Sequence, residues 1–127
     1  MSEDQHLTVE HVRGTVSVVA VSGEIDYHSS PALRSDLLAL IEEGHSDLIM
    51  DMSAVEFCDS SGLSALISLW HRARAAGGSL TLTSIPAAVD RLLSLTGLDQ
   101  VLPASPTTQD ALADHPALRK ADGPAGT

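Results

Sequence analysis

An α/β fold, a small mixed sheet of about five strands with helices packed on it, is the architecture predicted for this chain of 127 residues. Three observations carry that expectation. Short β-branched runs alternate with segments of helical spacing along most of the chain. The opening reads as a hairpin, whereas each later strand is separated from the next by a helix, which joins an antiparallel start to parallel crossovers. Apolar residues make up 43% of the chain and aromatics 2%, so one aliphatic core of Leu, Val, Ile and Ala is expected, in a chain too short for two.

The elements follow in order. Leu7, Val9 and His11 alternate with Thr8, Glu10 and Val12 as a half-buried strand, and Arg13-Gly14 turns the chain into a β-branched second strand at 15–22. Gly23 ends that run, and 24–28 read as a loop. Ser29 or Ser30 can cap a helix at 31–43, Pro31 suits its first turn, and Leu33, Leu37, Leu40 and Ile41 recur at helical spacing before Gly44 stops it. The third strand, 47–52, is apolar on both sides in its middle, as expected of a strand covered by helices. Residues 53–59 read as a connection whose Val55 and Phe57 point inward. A second helix at 61–76 carries Leu63, Leu66, Ile67 and Trp70 as one stripe and ends at Gly77-Gly78. The fourth strand, 79–84, sets Leu80 and Leu82 on one face. Pro86 opens a third helix bearing Val89, Leu92 and Leu93, with Gly97 as its left-handed cap. Val101-Leu102 is a brief last strand, and 108–114 form a further helical turn or two. From His115 the composition shifts to Ala, Pro, Gly, Asp and Lys without apolar period, which predicts a domain at 1–114 and a flexible tail at 115–127.

Charge narrows the function. Seven basic residues against seventeen acidic ones give a formal charge of −10, and Lys120 is the only lysine. Such a surface repels phosphodiester backbones and anionic lipid, and base-stacking aromatics are scarce, so neither nucleic acid nor membrane is an expected partner. Cys58 stands alone, which leaves no intramolecular disulfide and no cysteine cluster for a metal. The acidic N-terminus is unlike a signal peptide, and no apolar run approaches the ~20 residues of a membrane-spanning helix. A cytoplasmic domain without a cofactor is the expectation.

The most informative stretch runs from Asp51 through Phe57, Cys58, Asp59, Ser60, Ser61 and Gly62 to Leu63. It is a strand, a connection and a helix start. Unpaired N–H groups and the positive end of the dipole at a helix entrance favour an oxygen or an anion there. Taken alone, Asp59 or Ser60 could simply be an N-cap worth about 1 kcal/mol.

Set in order, Gly23-Glu24-Ile25-Asp26, Asp51-Met52-Ser53, Phe57-Cys58-Asp59-Ser60-Ser61-Gly62-Leu63, Gly77-Gly78-Ser79-Leu80 and Thr96-Gly97-Leu98 resemble the motifs of STAS-domain anti-sigma-factor antagonists. The resemblance runs from residue 7 to residue 112. It implies partner switching in transcription regulation, as in bacterial stress responses, rather than catalysis. The first serine of the Asp-Ser-Ser-Gly motif, here Ser60, would be phosphorylated by an anti-sigma factor that is also a serine kinase. The unphosphorylated protein would bind that kinase and free the sigma factor, and a phosphatase would reset the phosphorylated form. Asp26, Asp59, Ser61, Gly62 and Leu63 are carried over as partner-binding positions. Ser61 is the alternative acceptor, its structural role being that of a first-turn helix residue. Cys58 replaces a bulkier aliphatic residue and leaves a thiol close to the switch.

Other functions fit less well. Asp-Ser-Ser-Gly is not the Gly-x-Ser-x-Gly elbow of serine hydrolases, and of the six histidines only His28 lies in a loop able to approach Ser60. Asp51 sits where a receiver domain keeps its acceptor, but the required lysine late in the sheet is missing. No phosphate-binding glycine loop occurs. The chain is therefore not expected to be an enzyme. The competing reading is a STAS scaffold or interaction domain of a stress-signalling or lipid-transport complex. Because the first strand opens within the first ten residues, the expected domain is free-standing.

Overall fold

Parallel pairing along one central strand organises the chain, of which the computed structural model describes residues 5–116. Strands β1 (Gln5–Arg13) and β2 (Val16–Ile25) form the opening antiparallel hairpin. Helix α1 (Ser30–Glu42) crosses to β3 (Asp47–Cys58), which pairs parallel to β2, and α2 (Ser60–Ala75) crosses to β4 (Ser79–Thr83), parallel to β3. After α3 (Ala87–Thr96), the two-residue β5 (Ala104–Ser105) joins β4, and α4 (Thr108–Asp114) follows. The sheet order is β1-β2-β3-β4-β5. This is the mixed five-stranded α/β sheet that the alternation of periods predicts.

Strand alternation splits the core in two. Val19, Val21, Leu48, Met50, Leu80 and Leu82 pack with Leu33 and Leu37 of α1, Leu66 and Leu69 of α2, and Val89 and Leu93 of α3. The intervening Val16, Val18 and Ile49 face the other way and pack with Ala111 and Leu112 of α4. Both faces of β3 are thus covered at its start, which is why Leu48, Ile49 and Met50 in the middle of 47–52 are apolar on both sides. Within α2 the buried side is Leu63, Leu66, Leu69 and Ala73, whereas Ile67 and Trp70 lie only half-buried at its edge. Trp70 meets His71 edge-on, and the Arg74 guanidinium lies 5.1 Å from its ring centroid.

Four expectations are corrected. The strand at 15–22 does not stop at Gly23 but runs on to Ile25, and 53–59 are not a loose connection, because β3 continues to Cys58. Each extension gives the other its backbone partners: Gly23 pairs with Val55, Glu24 with Phe57 and Ile25 with Cys58. The ladder shifts between Gly23 and Glu24, leaving Glu56 as an extra residue on β3. That bulge breaks the two-residue period, so Val55 is buried as expected while Phe57 turns outward. The last strand lies at 104–105 rather than 101–102. Gly97, in the left-handed conformation at φ 79°, leads into a 3-10 turn (Leu98–Gln100) that drops Leu102 into the core, and Leu82 then finds the carbonyl of Pro103 at 2.9 Å.

The expected tail boundary also moves. His115 is 7% exposed, with Nε2 3.2 Å from Ser79 Oγ and 3.9 Å from Asp47 Oδ1. Ser79 donates to the same Asp47 oxygen and Thr15 to the other, so these side chains tie the end of α4 to the beginnings of β3 and β4. The rest of the expected tail, 117–127, lies outside the described residues.

The core predicts a clear contrast. Leu66→Ala, beneath the sheet, should lose about 2–5 kcal/mol in urea unfolding. Leu95→Ala, 77% exposed on α3, should stay within about 0.5 kcal/mol of wild type.

Candidate functional site

The sheet places one helix entrance with unusual closeness. At the end of β3, the Asp59 N–H donates to the carbonyl of Ile25 at 3.2 Å, which carries the β2–β3 pairing one step past Cys58. Asp59 then caps α2: its Oδ1 accepts from the Gly62 N–H at 3.0 Å, and its backbone carbonyl accepts from Leu63 at 3.0 Å. Gly62 is required by space. A Cβ there would run into the Ile25 carbonyl oxygen and would lie 2.7 Å from Cys58 Sγ. The first turn of α2 therefore rests directly on the end of β2.

Because Asp59 serves as the cap, Ser60 does not. Ser60 is the first residue of α2 and is exposed, with its hydroxyl at the positively polarised end of the helix. Ser61 is half-buried and points toward a groove of about 340 Å3 between α1 and α2, shared with Ser30, Pro31, Arg34, Ser64 and Ser68. Arg34 Nε donates to Ser68 Oγ there at 3.0 Å. Gly62 and Leu63, carried over as partner-binding positions, are buried: Gly62 by its contact with β2, Leu63 by packing in the main core, where its helical spacing puts it. Both support the site from beneath.

Asp26 shapes the neighbouring loop. Its Oδ1 accepts from the N–H groups of His28 and Ser29, each at 3.0 Å. Ser29 Oγ in turn accepts from the Asp26 N–H and donates to the carbonyl of Glu24. These bonds, the Ser29 N–H foremost, hold the Asp26 carboxyl below its ordinary range, so it is an anion at neutral pH. With its carboxylate turned into the loop, Asp26 leaves Tyr27 at the tip, 73% exposed, with His28 edge-on at 5.6 Å between ring centroids.

The thiol at the end of β3 is shielded. Cys58 is buried, and burial, with the Asp59 charge adding to it, pushes its pKa up to about 11. No group of three or more His, Cys, Asp or Glu side chains suited to a metal occurs among the described residues, nor does a helix long and apolar enough to cross a membrane.

Two surface residues escaped the sequence reading, Tyr27 and Phe57. Nothing in local periodicity marks Phe57, since its exposure comes from the bulge at Glu56. For Tyr27 the signal was available: it stands between Asp26 and His28, in a segment that already reads as a polar loop.

Two site substitutions have distinct outcomes. Gly62→Ala should destabilise the protein by about 1–3 kcal/mol in thermal or urea unfolding, since backbone and not a flexible chain end must give way. Cys58 should resist a thiol reagent at pH 8 in the native protein and react promptly in denaturant; fast labelling of the folded chain would contradict its burial.

Residues 6–111 match the model of the STAS domain. An anti-sigma-B factor antagonist of Bacillus subtilis is 36% identical over 87 residues, 68% of this chain and 79% of that protein. An anti-sigma F factor antagonist of Paenibacillus polymyxa is 28% identical over 109 residues, 85% of this chain and 92% of that one. The crystal structure of an anti-sigma factor antagonist from Mycobacterium paratuberculosis superposes with a TM-score of 0.76 at 38% identity, covering 86% of this chain and 92% of that one. With the family model spanning most of its length and a five-stranded sheet of the same fold, this chain belongs to the STAS domain family.

Proposed function

We propose that this chain is an anti-sigma factor antagonist switched by phosphorylation of Ser60. The unphosphorylated form binds an anti-sigma factor that is also a serine kinase, and so releases the sigma factor. The kinase transfers the γ-phosphoryl group of ATP to Ser60 Oγ: the new O–P bond forms as the bond to ADP breaks, and the hydroxyl proton leaves. The phosphorylated form lets go, and a phosphatase restores it in the cytoplasm.

The observation that carries this reading is the exposed Ser60 hydroxyl, left available because Asp59 caps α2 in its place. Electrostatics explains why one phosphate suffices. It adds about −1.5 to −2 charges at neutral pH. The N-terminus of α2 offers local compensation, so the fold tolerates the group. A docked partner would have to desolvate that dianion beside Asp59. A loss of about 3 kcal/mol in binding is already more than a hundredfold in affinity. Ser61 is the weaker acceptor because it turns toward the groove between α1 and α2. The names of the relatives, antagonists of anti-sigma factors, support the choice of partner class.

A kinase assay with purified anti-sigma factors, followed by phosphopeptide mass spectrometry, tests the reading. Phosphate is expected on Ser60. Ser60→Ala should bind the kinase and remain bound after ATP is added, whereas Ser60→Asp should bind more weakly than wild type. Phosphate on Ser61 alone, normal ATP-driven release of Ser60→Ala, or co-purification with a transport complex in place of an anti-sigma factor would each overturn it.

A further inference from the structure

This chain has three aromatic residues, and two of them stand in water: Tyr27 is 73% exposed and Phe57 49%. An aliphatic core would gain from either ring, yet the backbone holds both out. Asp26 takes up the N–H groups of His28 and Ser29 and leaves Tyr27 at the loop tip, while the bulge at Glu56 turns Phe57 away from Val55 and Cys58. Both leave the sheet at the same end, where Ile25 pairs with Cys58 and Ser60 begins α2. The two segments at that end, 23–33 and 52–64, carry Glu24, Asp26, Glu56 and Asp59 but no lysine or arginine.

We propose that Tyr27 and Phe57 are the apolar anchors at the end of the sheet that engages the anti-sigma factor, and that this partner presents an apolar socket framed by arginine or lysine. The inference rests on the switch proposed above and names the groups that supply its binding energy. Exposed aromatics within a polar rim are the usual composition of an interface hot spot. The carboxylates select what can approach. Anionic lipid is repelled. A second copy of this chain would set the same acidic face against itself in any two-fold contact. A basic partner is attracted and steered. A phosphate on Ser60 would then add charge at the same end of the sheet, where desolvation of the rings is required.

The test is calorimetric titration of the full-length anti-sigma factor that phosphorylates Ser60 against wild-type chain and four variants. Tyr27→Ala and Phe57→Ala should each weaken binding about 10- to 30-fold with unchanged melting temperature. Tyr27→Phe, and Leu95→Ala on α3, should stay within about threefold of wild type, and the affinity of the wild type should fall as salt rises from about 50 to about 300 mM. If Ser60 is phosphorylated and binds as proposed but either alanine variant stays within threefold, the anchors are wrong and the switch stands. If no anti-sigma factor phosphorylates Ser60, the switch fails and the anchors with it. A wild-type dimer abolished by Phe57→Ala, with affinity for the anti-sigma factor unchanged, would also overturn the inference.

Discussion

The meeting of α2 with the end of β2 is the constraint on which the site depends. Gly62 has no side chain, so the first turn of the helix can rest on the Ile25 carbonyl, and the Asp59 N–H can continue the β2–β3 ladder. Any larger residue would push the helix entrance off the sheet. Because the approach is close, the cap, the loop at Asp26 and the outward Ser60 are set by one rigid junction rather than by flexible connections. Ser60 therefore has a fixed environment. On the proposed switch, charge added there would change what the surface can bind without changing how the chain folds.

Much of this was legible from residue order, and the exceptions share a cause. Pro31 and the leucines of α1, Gly97 with its left-handed turn, and the seven residues of α4 act through their own backbone preferences or their immediate neighbours. Local patterns report such features well. The Asp-Ser-Ser-Gly segment marked the helix entrance for the same reason, although the pattern alone could not choose between Asp59 and Ser60 as cap. What stayed hidden is non-local. The length of β3 depends on β2 continuing beside it, and its extra residues exist only as mismatches between two strands. Phe57 therefore read as a core residue. Helical spacing placed Leu63 in the apolar stripe of α2, and it lies in the core. The burial of His115 depends on Asp47 and Ser79, far away in the chain.

Charge and shape divide the work at the exposed end of the sheet. The −10 net charge is spread over the whole chain and supports solubility as well as binding, so it cannot define a face by itself. The acidic groups around β2 and β3 differ in being held in place: Asp59 is bound to Gly62, and Asp26 to the loop that it shapes. Neither must be reorganised for a partner to dock, which keeps the entropic penalty of binding low. A new dianion among them would act on a pre-formed surface.

The most direct measurement compares the affinity of one purified anti-sigma factor for this chain before and after stoichiometric phosphorylation of Ser60. A fall of about a hundredfold or more, with unchanged thermal stability, is the predicted result. Equal affinities for the two forms would contradict the account.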